Sequence, residues 1–129
     1  MNAQYNLSKK SLFELGLSHT NNNASSLPYD RYESNALSVG YYDALPLNIL
    51  FSFQPSFSVN KYDSSDPVDN GKTRKDNKLS LSLNLYTNIE AMGKILTPVI
   101  GYTYTHNESN ISRRDFERNL VSFDIRAQF

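Results

Sequence analysis

Apolar residues occupy every second position over long stretches of this chain, and no other feature constrains its fold as strongly. From Leu47 to Lys61 the odd positions are almost all apolar and the even positions almost all polar. The segment from Lys78 to Ile89 repeats this pattern, with leucines alternating against Ser and Asn. A helix would scatter these residues around its circumference, whereas a strand sends successive side chains to opposite faces of a sheet. The alternation therefore predicts long β-strands with one apolar and one polar face.

Four further segments alternate less cleanly, which brings the predicted strands to six. They cover residues 5–19, 31–42, 47–61, 78–89, 94–106 and 118–129. Each is long beside the typical strand of about five or six residues. Pro55 lies at the centre of the third strand and removes a ladder hydrogen bond, so we expect a β-bulge there. Pro98 lies near a strand start, where proline is tolerated.

Long and short connections alternate along the chain. Residues 20–30, 62–77 and 107–117 form long polar loops, whereas residues 43–46 and 90–93 form tight turns. The two kinds therefore segregate to opposite ends of an antiparallel meander, an asymmetry typical of bacterial outer-membrane barrels. We predict an all-β fold: an antiparallel up-and-down meander of about six long strands that forms all or part of a transmembrane β-barrel. Residues 1–129 are then a single barrel domain or the C-terminal portion of a larger barrel in the bacterial outer membrane.

Composition decides which face is expected to meet lipid. The chain holds 17 Ser and 15 Asn, a poor supply for a packed core, beside 9 Tyr and 7 Phe. The polar strand positions are mostly Ser, Asn, Thr and Gly, whereas the exposed face of a soluble sheet usually carries Lys and Glu. We therefore expect the apolar face to contact membrane lipids and the polar face to line a water-filled lumen.

These assignments are made residue by residue. The expected lipid-facing belt consists of Leu37, Val39, Tyr41, Ile49, Phe51, Phe53, Phe57, Leu79, Leu81, Leu83, Leu85, Ile100, Tyr102, Tyr104, Val121, Phe123 and Ile125. The expected lumen-facing residues are Ser52, Gln54, Ser56, Ser58, Ser80, Ser82, Asn84, Thr103, Asp124 and Arg126. A lumen lined mostly by small side chains suits a conduit better than a packed plug.

Several other functions find little support in the sequence. Lys and Arg number 13 against 13 Asp and Glu, and this balance argues against a nucleic-acid partner. Cysteine is absent, so no disulfide or thiolate metal site is expected. His106, Ser109 and Asp115 lie at one loop, but a nucleophile and its base must be within hydrogen-bond reach, which the sequence does not show. The aspartates of residues 63–69 do not have the ligand spacing of an EF-hand calcium loop. We expect no enzyme activity, no catalytic residue, no metal site and no cofactor.

Two stretches resemble known outer-membrane proteins. The alternating Phe123, Ile125, Ala127 and terminal Phe129 resemble the C-terminal assembly signal of such barrels, which implies the barrel-assembly machinery as a partner. Leu96-Thr97-Pro98, Gly101-Tyr102-Thr103-Tyr104-Thr105, Asn107-Glu108-Ser109-Asn110-Ile111 and Phe116-Glu117-Arg118-Asn119 resemble the last hairpin of the surface lipoprotein assembly modifier barrels and of barrels fused to tetratricopeptide repeats. The Ser-Asn-Ile loop is the most specific part. This resemblance implies a barrel that helps move lipoproteins across the outer membrane, although the helical repeat domain of that family is missing here.

Six strands raise a difficulty of closure. Single-chain barrels of this class start at about eight strands, and each unsatisfied backbone group at an open edge in lipid costs several kcal/mol. The remaining strands are expected from missing N-terminal sequence or from other copies of the chain. The N-terminal residues lack the basic and apolar regions of a signal peptide, which favours the first source. Two rival interpretations are a soluble β-barrel or sandwich that binds an apolar ligand, and a barrel that serves only as a membrane anchor.

Overall fold

The computed structural model describes residues 1–23, 27–65, 70–91 and 94–128. Their strands pair in one antiparallel sheet, which confirms the predicted all-β meander. The strands are β1 (Asn2–Asn6), β2 (Ser11–Asn22), β3 (Tyr32–Ala44), β4 (Ile49–Ser65), β5 (Thr73–Thr87), β6 (Ile89–Ala91), β7 (Lys94–Ser109) and β8 (Phe116–Gln128). No helix within the described residues is long and apolar enough to span a membrane.

The first predicted strand, residues 5–19, is two strands in the structure. The chain reverses after β1, where the backbone N–H groups of Leu7 and Ser8 donate to the carbonyl of Ser11 at 3.0 and 3.3 Å. Strand β1 then pairs back on β2, and Tyr5 comes to lie opposite Phe13. These two aromatic residues both fall on odd positions, so the phase of the apolar residues is the same before and after the reversal. The polar run Ser8-Lys9-Lys10-Ser11 between them is the sequence feature that marks it.

Pro55 interrupts one of its two ladders without a bulge. It pairs with Leu81 of β5, but the pairing of β4 with β3 skips Val39 and Gly40 opposite it. The register is the same on both sides of this gap, so the prediction of a β-bulge at Pro55 is wrong. Proline lacks the N–H that would bond across, and no residue is inserted. The register shift of β4 lies between Lys61 and Ser65 instead.

Pro98 likewise interrupts the ladder between its strand and one neighbouring strand. It pairs with Ile125 of β8, whereas the pairing of β7 with β5 stops at Val99 and resumes with β6 at Leu96. The register with β7 is identical on both sides of this gap, so β5 and β6 form one strand that is interrupted at Asn88. Pro98 therefore lies inside β7, where it removes part of the pairing with β5 and β6.

The connections segregate as predicted. β1 and β2, β3 and β4, and β6 and β7 are joined at one end of the sheet, which we call the turn end. β2 and β3, β4 and β5, and β7 and β8 are joined at the other end, the loop end. Among the described residues no pairing joins β1 to β8, so the sheet is open and has two edges.

Replacing Pro55 by valine tests the account of the interrupted ladder. Valine restores the missing N–H donor and favours strands, so P55V is expected to stabilise the folded protein by about 1 kcal/mol. The measurement is the temperature at which the folded species is lost in semi-native electrophoresis. Pro46→Ala, in a turn outside the ladder, is the control, and a P55V protein that melts below the parent would contradict the account.

Candidate membrane-facing surface

The pairing register collects the apolar side chains of the strands on one face of the sheet, which we call the apolar face. One register row crosses six strands and consists of Phe13, Tyr41, Phe53, Leu83, Tyr102 and Val121. All residues of the expected lipid-facing belt fall on this face, and all of the expected lumen-facing residues fall on the other, the polar face. The register thus brings together both sets that the alternation separates.

Burial is inverted relative to a water-soluble domain. Among the described residues, Ile111 is the one buried apolar side chain, and the buried polar residues are Ser52, Asp76, Thr105 and Asn107. On the apolar face, by contrast, Val121 is 74% exposed and Phe123 is 67% exposed. Soluble proteins seldom expose a contiguous apolar patch of more than a few hundred Å². A face with this many exposed Leu, Ile, Phe and Val side chains needs an apolar environment of its own.

The apolar face has the height of a bilayer core. On β4 it extends from Ile49 to Val59, which is about ten residues or roughly 33 Å along the strand at about 3.3 Å per residue. A strand tilted by about 45° covers roughly 23 Å of membrane thickness with this length, close to the roughly 25 Å of known barrels. Lys61 follows Val59 on the same face, so the apolar residues end where a headgroup layer would begin.

The border of the apolar face toward the loop end does not follow one register row. The last apolar residues of β2, β3 and β5 share a row and are Leu17, Leu37 and Leu79, whereas Val59 of β4 lies two residues beyond that row. On β7 and β8 the last apolar residues are Tyr104 and Val121, which lie two and four residues nearer the turn end. The apolar face therefore reaches less far toward the loop end on the last two strands.

Tyrosines near the borders of the apolar face turn their hydroxyl groups toward polar partners. Tyr41 donates to Oδ2 of Asp43 at 3.2 Å near the turn end. Tyr104 donates to Oε1 of Glu117 at 3.2 Å on the loop side. His106 lies beside the same carboxylate, with Nδ1 at 3.2 Å from Oε1. An aromatic body with a polar tip suits the interface between lipid and water.

The polar face is held by contacts between small side chains. Asn84 donates from Nδ2 to Oγ of Ser52 at 3.2 Å, and the hydroxyl groups of Ser82 and Thr103 lie 3.5 Å apart. A Cβ added to Gly101 would approach Oδ1 of Asn84 to 2.9 Å, so glycine is needed where these side chains converge. The polar face is therefore lined by small polar side chains that contact one another.

A depression of about 330 Å³ lies on the polar face over β2, β3 and β4. Glu14 is its acidic group and binds two neighbours: the hydroxyl of Tyr42 donates to Oε2 at 3.0 Å, and Nε2 of Gln4 donates to Oε1. The Tyr42 ring covers Gly40, where an added Cβ would meet the ring at 2.8 Å. The depression thus has a polar floor of fixed side chains.

A buried charged cluster at the loop end was not predicted. Asp76 is 1% exposed, accepts from Nε of Arg74 at 2.9 Å and pairs with the second guanidinium nitrogen as well. The guanidinium lies 4.5 Å from the ring centroid of Tyr62, which also packs against the Tyr32 ring at 5.3 Å between centroids and a tilt of 43°. Burial raises the pKa of Tyr62, although Arg74 opposes this, so its phenol stays protonated and faces Asp76. The signal in the sequence is that Tyr62, Arg74 and Asp76 fall on even positions, in phase with the polar face.

The Ser-Asn-Ile loop is an ordered connection between β7 and β8. Asn110 bridges to β5: its Oδ1 accepts from the N–H of Lys75 at 2.8 Å, and its Nδ2 donates to the carbonyl of Thr73 at 2.9 Å. Ile111 is buried, and its N–H donates to Oγ of Ser109 at 3.2 Å. These contacts explain why each of the three residue types is needed at its position.

The groups considered for chemistry have structural partners. Asp115 accepts from the backbone N–H of Ser109 at 2.6 Å, and the Ser109 hydroxyl oxygen accepts from the backbone N–H of Ile111 at 3.2 Å. Among the described residues, no group of three or more His, Asp and Glu side chains is arranged to hold a metal ion. Phe129, Asp66 and Asp69 lie outside the described residues, whereas Phe123, Ile125 and Ala127 lie on β8.

Neighbouring residues on opposite faces of β5 give a matched test of the two environments. Leu83→Arg places a charge on the apolar face and is expected to cost about 2–4 kcal/mol of folding free energy in lipid vesicles. Ser82→Arg places the same charge on the polar face, where water solvates it, and is expected to cost less than about 1 kcal/mol. The measurement is the folded fraction during a denaturant titration in vesicles. Equal losses for the two variants would contradict the assignment of the faces.

Comparison with known proteins gives the family. The model of the surface lipoprotein assembly modifier family matches residues 2–129, which include every strand described above. Comparison with curated proteins and with solved structures gave no match. Membership agrees with the resemblance carried by the last hairpin, and it connects the chain with surface lipoprotein assembly in the bacterial envelope. The chain therefore belongs to the surface lipoprotein assembly modifier family.

Proposed function

We propose that this chain forms part of the wall of an outer-membrane barrel that exports lipoproteins through or along its polar lumen. The observation that supports this most directly is the inverted burial, with exposed Leu, Ile, Phe and Val on one face and buried Ser, Thr, Asp and Asn on the other. The height of the apolar face on β4 matches a tilted wall in a bilayer. Family membership supplies the lipoprotein as the class of cargo.

Further strands are proposed to complete the wall at both open edges. Among the described residues, β8 has a partner only on its β7 side, and β1 pairs with β2 only from Leu12 to Gly16. The stretch from Ser18 to Asn21 therefore presents backbone groups on its far side. Such groups are costly in lipid, so we propose that strands of the same polypeptide, or of other copies, pair with them.

The polar face is proposed to act as a conduit because its side chains are small and hydrated. Ser56, Ser80 and Thr105 form one row across β4, β5 and β7, with Gly16 and Ser38 continuing it on β2 and β3. A barrel that served only as an anchor would have no need of an open, small-residue interior. The same lumen is proposed to carry the chain of a lipoprotein in an extended form.

The last strand is proposed to guide insertion. Phe123 and Ile125 on the apolar face of β8 are 67% and 58% exposed, so both side chains are accessible to a protein that recognises this strand. With Ala127 and Phe129 they make the alternating pattern that the barrel-assembly machinery is proposed to bind. The partner is expected to pair with the free edge of β8 before the barrel closes.

Opposite faces of β5 also provide the test of this function. Ser80→Trp narrows the proposed lumen, and it is expected to reduce lipoprotein display on intact cells by about tenfold while leaving the barrel folded. Leu79→Trp adds the same ring on the lipid side and is the control, expected to display normally. The measurement is the fraction of lipoprotein that protease removes from intact cells, normalised to the folded barrel recovered from the outer membrane. Normal lipoprotein display by the Ser80→Trp variant would favour a barrel that serves only as a membrane anchor. Recovery of the unmodified protein in a soluble fraction without detergent would exclude a membrane location.

A further inference from the structure

The apolar face is lower on β2 and β3 than on β4. It consists there of three register rows, which pair Phe13 with Tyr41, Leu15 with Val39, and Leu17 with Leu37. We call these six residues the low part of the apolar face. From Phe13 to Leu17 it extends over about four residues, or roughly 13 Å along the strand at about 3.3 Å per residue. With a tilt of about 45° this length covers roughly 9 Å of membrane thickness, well below the roughly 25 Å of known barrels.

Polar residues end the low part on both sides. Toward the turn end the next register pair is Ser11 and Asp43, and the Ser11 hydroxyl donates to Oδ1 of Asp43 at 2.9 Å. Toward the loop end the next pair is His19 and Asn35, with Nδ1 of the ring 2.9 Å from the amide Oδ1. Glu33 follows, 3.7 Å from the same ring nitrogen. A carboxylate is costly to place in hydrocarbon, so the apolar layer beside these strands has to lie between the two polar borders.

The neighbouring strand β4 stays apolar beyond both borders. Phe51 lies opposite Asp43, and Val59 lies opposite Asn35. Within one strand spacing of about 4.8 Å, the apolar stretch therefore lengthens at both of its ends. A tilt of the strands against a flat bilayer would shift both borders in the same direction, so tilt does not account for this difference.

Tyr41 marks the border of the low part on β3. Its hydroxyl donates to Oδ2 of Asp43 at 3.2 Å, and its ring meets the Phe51 ring edge-on at 6.3 Å between centroids. A tyrosine with its hydroxyl on a polar partner is typical of the interface between lipid and water. Phe53 of β4 lies opposite Tyr41, yet β4 carries Phe51 and Ile49 beyond that level.

The polar groups at the two borders bind one another. Asp43 accepts from the hydroxyls of Ser11 and Tyr41, and His19 lies against both Asn35 and Glu33. Water and lipid headgroups solvate such groups as they stand, whereas a protein that covered this part of the wall would have to match each of them. The borders therefore favour a lipid surface over a protein partner.

We propose that the bilayer is locally thinned where it meets β2 and β3. A membrane adapts to a short apolar stretch by thinning beside it, which keeps the Asp43 carboxylate and the His19 side chain in contact with water. The inference rests on the proposed contact between the apolar face and lipid. In the proposed export function, the thinned zone is the place where a polar group has the shortest path across the hydrocarbon layer.

The test compares spin labels at register partners of β3 and β4 in the membrane-inserted protein. Single labelled cysteines are placed at the pairs Asp43 and Phe51, Tyr41 and Phe53, and Asn35 and Val59. Collision rates are measured with oxygen and with a water-soluble nickel complex in vesicles of lipids with 18-carbon chains. The ratio of oxygen to nickel collisions is expected to be high at both members of the central pair. In the two outer pairs it is expected to be at least threefold higher on β4 than on β3.

A widened variant provides the second measurement. Asn35→Leu with Asp43→Leu extends the apolar face of β3 toward the height of β4. It is expected to raise the oxygen-to-nickel ratio at least twofold for labels at Ser11 and His19 of β2. Ser34→Leu with Ala36→Leu adds two leucines to the polar face of the same strand and is expected to leave both ratios unchanged. The β2 labels in the unmodified sequence, both expected to favour nickel, serve should the changes on β3 impair folding.

The outcomes separate this inference from the proposed function. Nickel favoured at both members of the central pair would contradict lipid contact and the proposed function with it. Oxygen favoured at the central pair, with equal ratios within each outer pair, would overturn the thinning alone. A difference of opposite sign in the two outer pairs would indicate tilted strands in a flat bilayer and would also overturn it. Labels at Asp43 and Asn35 that neither reagent reaches would show that a protein covers the site.

Discussion

The backbone ladder between neighbouring strands is the interaction on which the rest of this structure depends. Its register fixes which side chains share a face, because a slip of one residue would exchange the two faces of a strand. The prolines show how strictly the register is kept: Pro55 and Pro98 each remove pairing on one side, and the register continues unchanged beyond both gaps. At the loop end, Asn110 extends the same pairing by bonding the backbone of Thr73 and Lys75 from a loop. Within the described residues the ladder ends at two open edges, where further strands are proposed to pair.

The second constraint is that the described residues contain no buried apolar side chain apart from Ile111. Buried polar residues such as Ser52 and Asn107 lie on one face, and exposed Leu, Ile and Phe lie on the other. In the proposed setting the bilayer takes the place of a core, and water fills the space beside the polar face. The balanced composition of the chain, with its abundant Ser and Asn, then reflects two environments that an average over the sequence conceals.

The alternation predicted the long strands and the two faces, because a period of two maps directly onto the sides of a sheet. It did not predict the turn between β1 and β2, since Tyr5 and Phe13 keep the same phase on both sides of it. The bulge expected at Pro55 was wrong because proline can remove a bond without displacing the strand. The Asn110 bridge to Thr73 and Lys75 joins residues that only the fold of the loop brings together, and no local pattern in the sequence contains it. The Arg74–Asp76 pair is local to β5, but its contact with Tyr62 depends on the pairing of β4 with β5.

The central claim, that the apolar face contacts lipid, is tested most directly by spin labels along β5. The chain has no cysteine, so single cysteines from Leu79 to Tyr86 can be labelled one at a time in the membrane-inserted protein. Collision rates are then measured with oxygen, which concentrates in lipid, and with a water-soluble nickel complex. The account predicts a period of two, with oxygen favoured at Leu79, Leu81, Leu83 and Leu85 and nickel favoured at the residues between them. Labels at the leucines that neither reagent reaches would contradict it, because those side chains would then be packed in a protein core.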